Sequence, residues 1–211
     1  LYDCLHSQHR FRNDEYNNPE RIHCGPLRGR NDDRVAPGEG FQTHPHKNME
    51  IVSIPLKGFL AHGDSKKNSR TITVGDIQVM SAGTGIYHSE MNGSKSEPVE
   101  FLQIWIMPKE RNTHPLYQDY DIRGLLKKNE LALILSPDGS TPAKLLQDTW
   151  FSMGEAEAGK TLEYKIHGTD TGVYVFLIEG EIKIDDIIGT RRDGWGLSDP
   201  KGLEREPLKA A

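Results

Sequence analysis

A chain of 211 residues with a 35% apolar fraction is long enough for one large domain or two small ones with a proper core. Its formal net charge of −5 gives the chain as a whole no electrostatic reason to bind nucleic acid or an anionic membrane. No apolar run approaches the roughly 20 residues that span a bilayer, and no secretory signal is visible. Cys4 and Cys24 form neither a CxxC pair nor a disulfide framework, so a reducing, cytoplasmic compartment is expected.

The 21 glycines and 12 prolines favour short elements joined by turns. Residues 1–33 are polar and read as irregular, with F-R-N-D-E-Y-N-N-P-E-R (11–21) a loop. R-G-R-N-D-D-R-V-A-P-G-E-G (28–40) reads as a further loop, in which Asp32, Asp33 and Arg34 make either a local charge network or a solvated surface. From residue 41 the pattern is β. M-E-I-V-S-I-P-L (49–56), Phe59 to His62, T-I-T-V (71–74), I-Q-V-M (77–80) and V-E-F-L-Q-I-W-I-M (99–107) predict strands at hairpin spacing. Turns are predicted at Lys57-Gly58 and Gly75-Asp76.

The composition turns polar after Met107, so residues 111–130 are the expected linker between an N-terminal unit, 1–110, and a C-terminal unit, 131–211. L-A-L-I-L (131–135), T-W-F-S-M-G (149–154), V-Y-V-F-L-I (173–178) and E-I-K-I-D (181–185) predict the second β series. The last two flank Glu179-Gly180 as a hairpin. R-D-G-W-G-L-S-D (192–199) reads as a turn, and the polar tail predicts a shortened unit without its final strand.

Chemistry concentrates between Gly40 and Asn92. On a strand, residues two apart share a face. His44 and His46 form one such pair, and His88 and Glu90 form another. Two strands offering these pairs inward would place three imidazoles and a carboxylate around one ion. That donor set suits Fe, Mn, Ni, Cu or Zn better than Mg or Ca. Gly83 and Gly85 let the backbone bend close to the centre, and Pro45 stiffens the first pair. Glu50, four residues after His46, competes with Glu90 for the fourth position. His6, His9, His23, His62, His114 and His167 lack a partner at ligand spacing and read as structural or surface residues. His62 stands apart from these because it lies on a strand of the same unit.

The motifs T-H-P-H (43–46) and S-A-G-T-G-I-Y-H-S-E (81–90) resemble the pirin family of the cupin superfamily. The resemblance also runs through N-N-P-E-R-I-H (17–23), N-D-D-R-V-A-P-G-E-G-F-Q (31–42), F-L-Q-I-W-I (101–106) and R-D-G-W-G-L-S-D (192–199). It implies an all-β bicupin of two packed jelly-roll barrels, with the metal in the N-terminal barrel and no ligands in the C-terminal one. It implies His44, His46, His88 and Glu90 as ligands, with Glu90 preferred over Glu50, and Fe(II) as the metal. It further implies a dioxygenase that cleaves a flavonol such as quercetin with O2 and releases CO. Glu90 would then be the catalytic base. Phe41, Met80, Ile86 and Phe101 are candidate pocket walls, with core packing the ordinary role for most of them. The alternative is a metal-binding regulator acting through a protein partner, with flavonol cleavage a side activity.

Overall fold

The structure is a computed structural model that describes residues 5–9, 25–168, 172–184, 187–197 and 208–210. Cys4, Cys24, His23 and the expected loop at 11–21 lie outside the described residues. Every regular element described is a strand. No described helix is long and apolar enough to cross a membrane. The chain divides into two units. One holds residues 1–123 and 136–149, the other 124–135 and 150–211.

Among the described residues the first unit has ten strands. They are β1 (Leu5–His9), β2 (Leu27–Val35), β3 (Gly40–His46), β4 (Glu50–Lys57), β5 (Phe59–Asp64), β6 (Ser69–Thr73), β7 (Asp76–Ser81), β8 (Ile86–Asn92), β9 (Val99–Ile106) and β10 (Leu116–Asp121). They form a six-stranded sheet in the order β1-β2-β9-β4-β7-β10 and a four-stranded sheet in the order β3-β8-β5-β6. Two apolar clusters join the sheets. Val35, Leu60, Ile72, Val99 and Phe101 form one, with Phe41 against it. Ile51, Met80, Ala82 and Ile86 form the other, with Met49 and Trp105 against it. Burying these side chains removes apolar surface from water at roughly 25 cal/mol per Å².

Two expectations for this unit are corrected. Residues 28–35 are not a loop but most of β2, a strand whose buried positions include Arg30 and Asp33. Its polar run hides the alternation that would have marked it. The expected linker contains β10, which pairs along its whole length with β7, and residues 136–149 also belong to this unit.

The second unit has shorter strands. They are β11 (Ala132–Leu135), β12 (Phe151–Met153), β13 (Thr161–Leu162), β14 (Val173–Phe176), β15 (Glu181–Ile184), β16 (Ile187–Thr190), β17 (Gly194–Leu197) and β18 (Leu208–Ala210). Leu162, Val173, Ile182 and Ile184 form a buried cluster within it. The hairpin expected around Glu179-Gly180 does not form. β14 pairs with β17, and β15 pairs with β16. The glycine-rich stretch read as a turn therefore supplies a strand, and Gly194 in it lies against a bulky partner. A Cβ at Gly194 would strike the Tyr174 hydroxyl. The tail is not strandless either, since β18 lies between β13 and β15.

The first unit positions the histidines through β3 and β8. These strands pair with His44 directly opposite His88, after an irregularity between Phe41 and His44. Gly40 opens the pairing opposite Met91. A Cβ there would strike the Glu90 carbonyl and the Met91 Cα. Gly40→Ala is therefore expected to push β3 off β8 and weaken divalent-metal affinity by on the order of tenfold. Equilibrium metal titration of the variant and the parent protein measures it.

Candidate metal centre

His44, His46 and His88 converge. Each offers a ring nitrogen, and these atoms lie within 4.8 Å of one another. The ring centroids of His44 and His88 are 4.5 Å apart, and His46 lies 4.9 Å from each. The turn that delivers β8 needs glycine, since Gly83 and Gly85 both sit at positive φ, +48° and +142°. Gly83 is further fixed because a Cβ would meet the Thr113 carbonyl.

The local chemistry favours ligation. His44 Nδ1 donates to the Gln42 carbonyl at 2.7 Å, which leaves its Nε2 lone pair free. Nε2 of His46 and both ring nitrogens of His88 are buried without a hydrogen-bond partner. Buried polar groups are rarely left unpaired, because each costs roughly 1–3 kcal/mol. Burial, reinforced by the neighbouring imidazoles, pulls the pKa of His46 down to about 4 and that of His88 down to about 3. Both are thus neutral at pH 7, the state that binds a metal. The donor set and its orphaned nitrogens fit a divalent transition-metal ion.

Glu90 lies on the same face of β8 as His88 and is fully buried. Its carboxyl does not join the three-imidazole cluster. It converges instead with His88 and His62. Ser53 Oγ donates to it at 2.9 Å, Gln78 Nε2 at 3.4 Å, and Gln103 Nε2 donates to its other oxygen. The amides are themselves held. Trp105 Nε1 donates to Gln103 at 2.7 Å, and the Tyr117 hydroxyl donates to Gln78 at 3.2 Å. Burial outweighs these donors and pushes the Glu90 pKa up to about 7.

Glu50 is spent elsewhere. Its carboxylate accepts from Ser81 Oγ at 2.9 Å and from the backbone N–H groups of Leu146 and Gln147 at 2.8 and 2.9 Å. The face it was expected to share with His46 does not exist. Asn48 adopts φ +50°, and the chain passes there from one sheet to the other, so strand parity does not carry across. Glu50→Gln should destabilise the protein by about 1–3 kcal/mol, because two backbone donors and a hydroxyl lose their carboxylate. Metal stoichiometry should stay unchanged. Urea unfolding and elemental analysis check the two halves of this expectation.

Among the pocket candidates, Met80, Ile86 and Phe101 are buried in the two core clusters. Phe41 is half-buried, with its ring 6.5 Å from that of His44. His62 was read as structural or surface, yet it is buried beside His88, with ring centroids 5.4 Å apart. Sequence reasoning also passed over Ser53, Gln78 and Gln103. They are the polar interruptions in three apolar strands, and the register lines them up, with Ser53 opposite both Gln78 and Gln103.

Comparison with known proteins accounts for this architecture. The pirin family model matches residues 2–106, and the quercetinase C-terminal cupin domain model matches residues 133–211. A quercetin 2,3-dioxygenase of Escherichia coli strain K12 is 34% identical over 206 residues, covering 94% of this chain and 85% of that protein. The chain belongs to the pirin family. The crystal structure of the bacterial pirin YhhW from Escherichia coli in complex with nickel(II) matches with a TM-score of 0.88 at 31% identity, covering 99% of this chain and 90% of that one. A quercetin 2,3-dioxygenase structure from Acinetobacter baumannii, 21% identical with a TM-score of 0.59 over 89% of this chain and 71% of that one, shares the fold. This pirin is thus an all-β bicupin, as its motifs implied.

Proposed function

We propose that this pirin is a metal-dependent dioxygenase that cleaves a flavonol such as quercetin. The observation that carries the proposal is a buried carboxyl, Glu90, next to a cradle of three imidazoles, of which His46 and His88 are kept neutral by burial. The relatives named quercetin 2,3-dioxygenase support it. His44, His46 and His88 would hold the ion, with Glu90 at its edge as the fourth ligand. Fe(II) is the expected metal, and nickel(II), found in the YhhW complex, is the first alternative to test. The bound ion supplies Lewis acidity toward a flavonol hydroxyl.

The chain's residues do the rest. Glu90 takes the proton of the flavonol 3-hydroxyl. A base whose pKa lies close to the working pH is effective at that task. Ser53, Gln78 and Gln103 fix the direction of its carboxyl, and Trp105 and Tyr117 keep the two amides from rotating. Phe41, half-buried at the edge of the cradle, offers an aromatic face to the substrate rings. The overall reaction consumes one flavonol and one O2, and yields one CO and one depside ester.

The test is metal reconstitution without oxygen, followed by quercetin and O2. O2 uptake matched by CO release is the expected result. Glu90→Gln that keeps its metal should lose most turnover, and a variant that turns over at the parent rate would remove the base assignment. A metal-loaded protein that leaves flavonols untouched would instead point to a regulator working through a protein partner.

A further inference from the structure

The histidine that strand spacing left unassigned has the environment of a ligand. His62 lies on β5, directly opposite Glu90 on β8, and Asp64 lies opposite His88. One ligating atom from each of His62, His88 and Glu90 falls within 4.8 Å of the others. All three residues are buried, at 3%, 0% and 1% exposure, so this is not a chance gathering of surface groups.

The contact with Asp64 settles the tautomer of His62. Its Nε2 lies 3.2 Å from Asp64 Oδ2. An ionised carboxylate only accepts, so Nε2 carries the proton and Nδ1 keeps a lone pair. Asp64 is itself held by the backbone N–H groups of Lys66 and Asn68, at 2.8 and 3.0 Å, and by Asn68 Nδ2 at 2.8 Å. The Tyr117 ring stacks on the imidazole with centroids 4.7 Å apart and planes 29° from parallel. Nδ1 is buried with no hydrogen-bond partner. A carboxylate behind one nitrogen and an unused lone pair at the other is how metal-binding histidines are commonly oriented.

We propose that His62, His88 and Glu90 form a second seat for a divalent transition-metal ion, beside the cradle of His44, His46 and His88 and sharing His88 and Glu90 with it; with both seats filled, His88 bridges as an imidazolate, its ring proton released to solvent. This rests on the metal-site reading of the first cradle. Two imidazoles and a carboxylate favour first-row transition metals over Mg or Ca. Asp64 is the positioning residue of this seat, acting through His62.

The probe is cobalt(II), followed by visible absorption and by cobalt retained after gel filtration. The double variant His44→Gln/His46→Gln removes the first cradle and leaves the second seat whole. It should still bind cobalt(II), with affinity lowered about 10–100-fold, and adding His62→Gln should abolish that binding. Adding Asp64→Asn to the double variant should weaken binding by about tenfold or more. In the otherwise unaltered protein, His62→Gln should change the cobalt absorption spectrum while circular dichroism stays the same. A double variant that binds no cobalt, or whose binding survives His62→Gln, overturns the second seat. So does an unchanged spectrum in the single variant, which requires no folding of the double one. An unaltered protein that takes up no cobalt would overturn both the seat and the metal-site reading. Uptake by the unaltered protein alone would overturn the seat and leave that reading standing.

Discussion

His88→Leu is expected to abolish divalent-metal binding while making the metal-free protein more stable. His88 is common to both groups of ligating atoms, and it lies at the paired contact of β3 and β8. Removing a residue that merely orients a ligand commonly costs 10–100-fold in metal affinity, so losing His88 should exceed about 100-fold. The gain in stability has a separate origin. Both ring nitrogens of His88 are buried without hydrogen bonds, and its neutral ring is hemmed in by His44, His46 and His62. Leucine is close enough in size to fill the space without any polar atom to satisfy. The stabilisation should be about 1–3 kcal/mol, read from urea unfolding in the presence of a chelator. A functional site held at a cost to the fold predicts this opposition of signs. A variant that is less stable than its parent under chelation would show that His88 is satisfied by other means.

The second large effect is a pH dependence carried by Glu90. Its pKa rises from 4.5 to about 7 on folding, chiefly through burial. The native state therefore holds this proton more tightly than the unfolded chain does. The carboxyl's contribution to stability is complete below pH 4.5 and is lost as pH rises through about 7. At roughly 1.4 kcal/mol per pH unit the interval is worth about 3 kcal/mol. Glu90→Gln keeps an uncharged group at every pH. In metal-free protein, the stability of the parent relative to this variant should fall by about 3 kcal/mol between pH 4.5 and pH 8. His46 and His88 act in the other direction. Their contribution is full above 6.5 and is lost as pH falls through about 4 and about 3. Both histidines are present in parent and variant, so their effect largely cancels in the difference. Urea unfolding at several pH values gives the curve, and a difference that stays flat would mean that Glu90 is ionised throughout.

The parts of the site that were legible in the sequence are those set by local geometry. Side chains two apart on a strand must share a face, so T-H-P-H and H-S-E announced their pairs before any contact was known. Glu50 shows where this reasoning stops. It counts correctly from His46 only if the strand continues, and Asn48 breaks the strand. His62 shows the same limit from the other side. It is far from every other ligand in sequence, and only the pairing of β5 with β8 brings it opposite Glu90. β2 was missed because a buried arginine and a buried aspartate sit where apolar residues would mark a strand. The false hairpin at Glu179-Gly180 arose because two adjacent strands with a turn between them need not pair with each other.

The sequence by itself determined the all-β class, most of the strands of the first unit and the three imidazoles. These follow from the alternation of side chains and from turn chemistry, which act over a few residues. The tertiary structure alone decided what surrounds those imidazoles. It aligned Ser53, Gln78 and Gln103 on Glu90, turned Glu50 away to hold residues 146 and 147, and brought His62 opposite Glu90. Strand register and sheet order bring together residues distant in the chain, and neither is written in any short stretch of sequence.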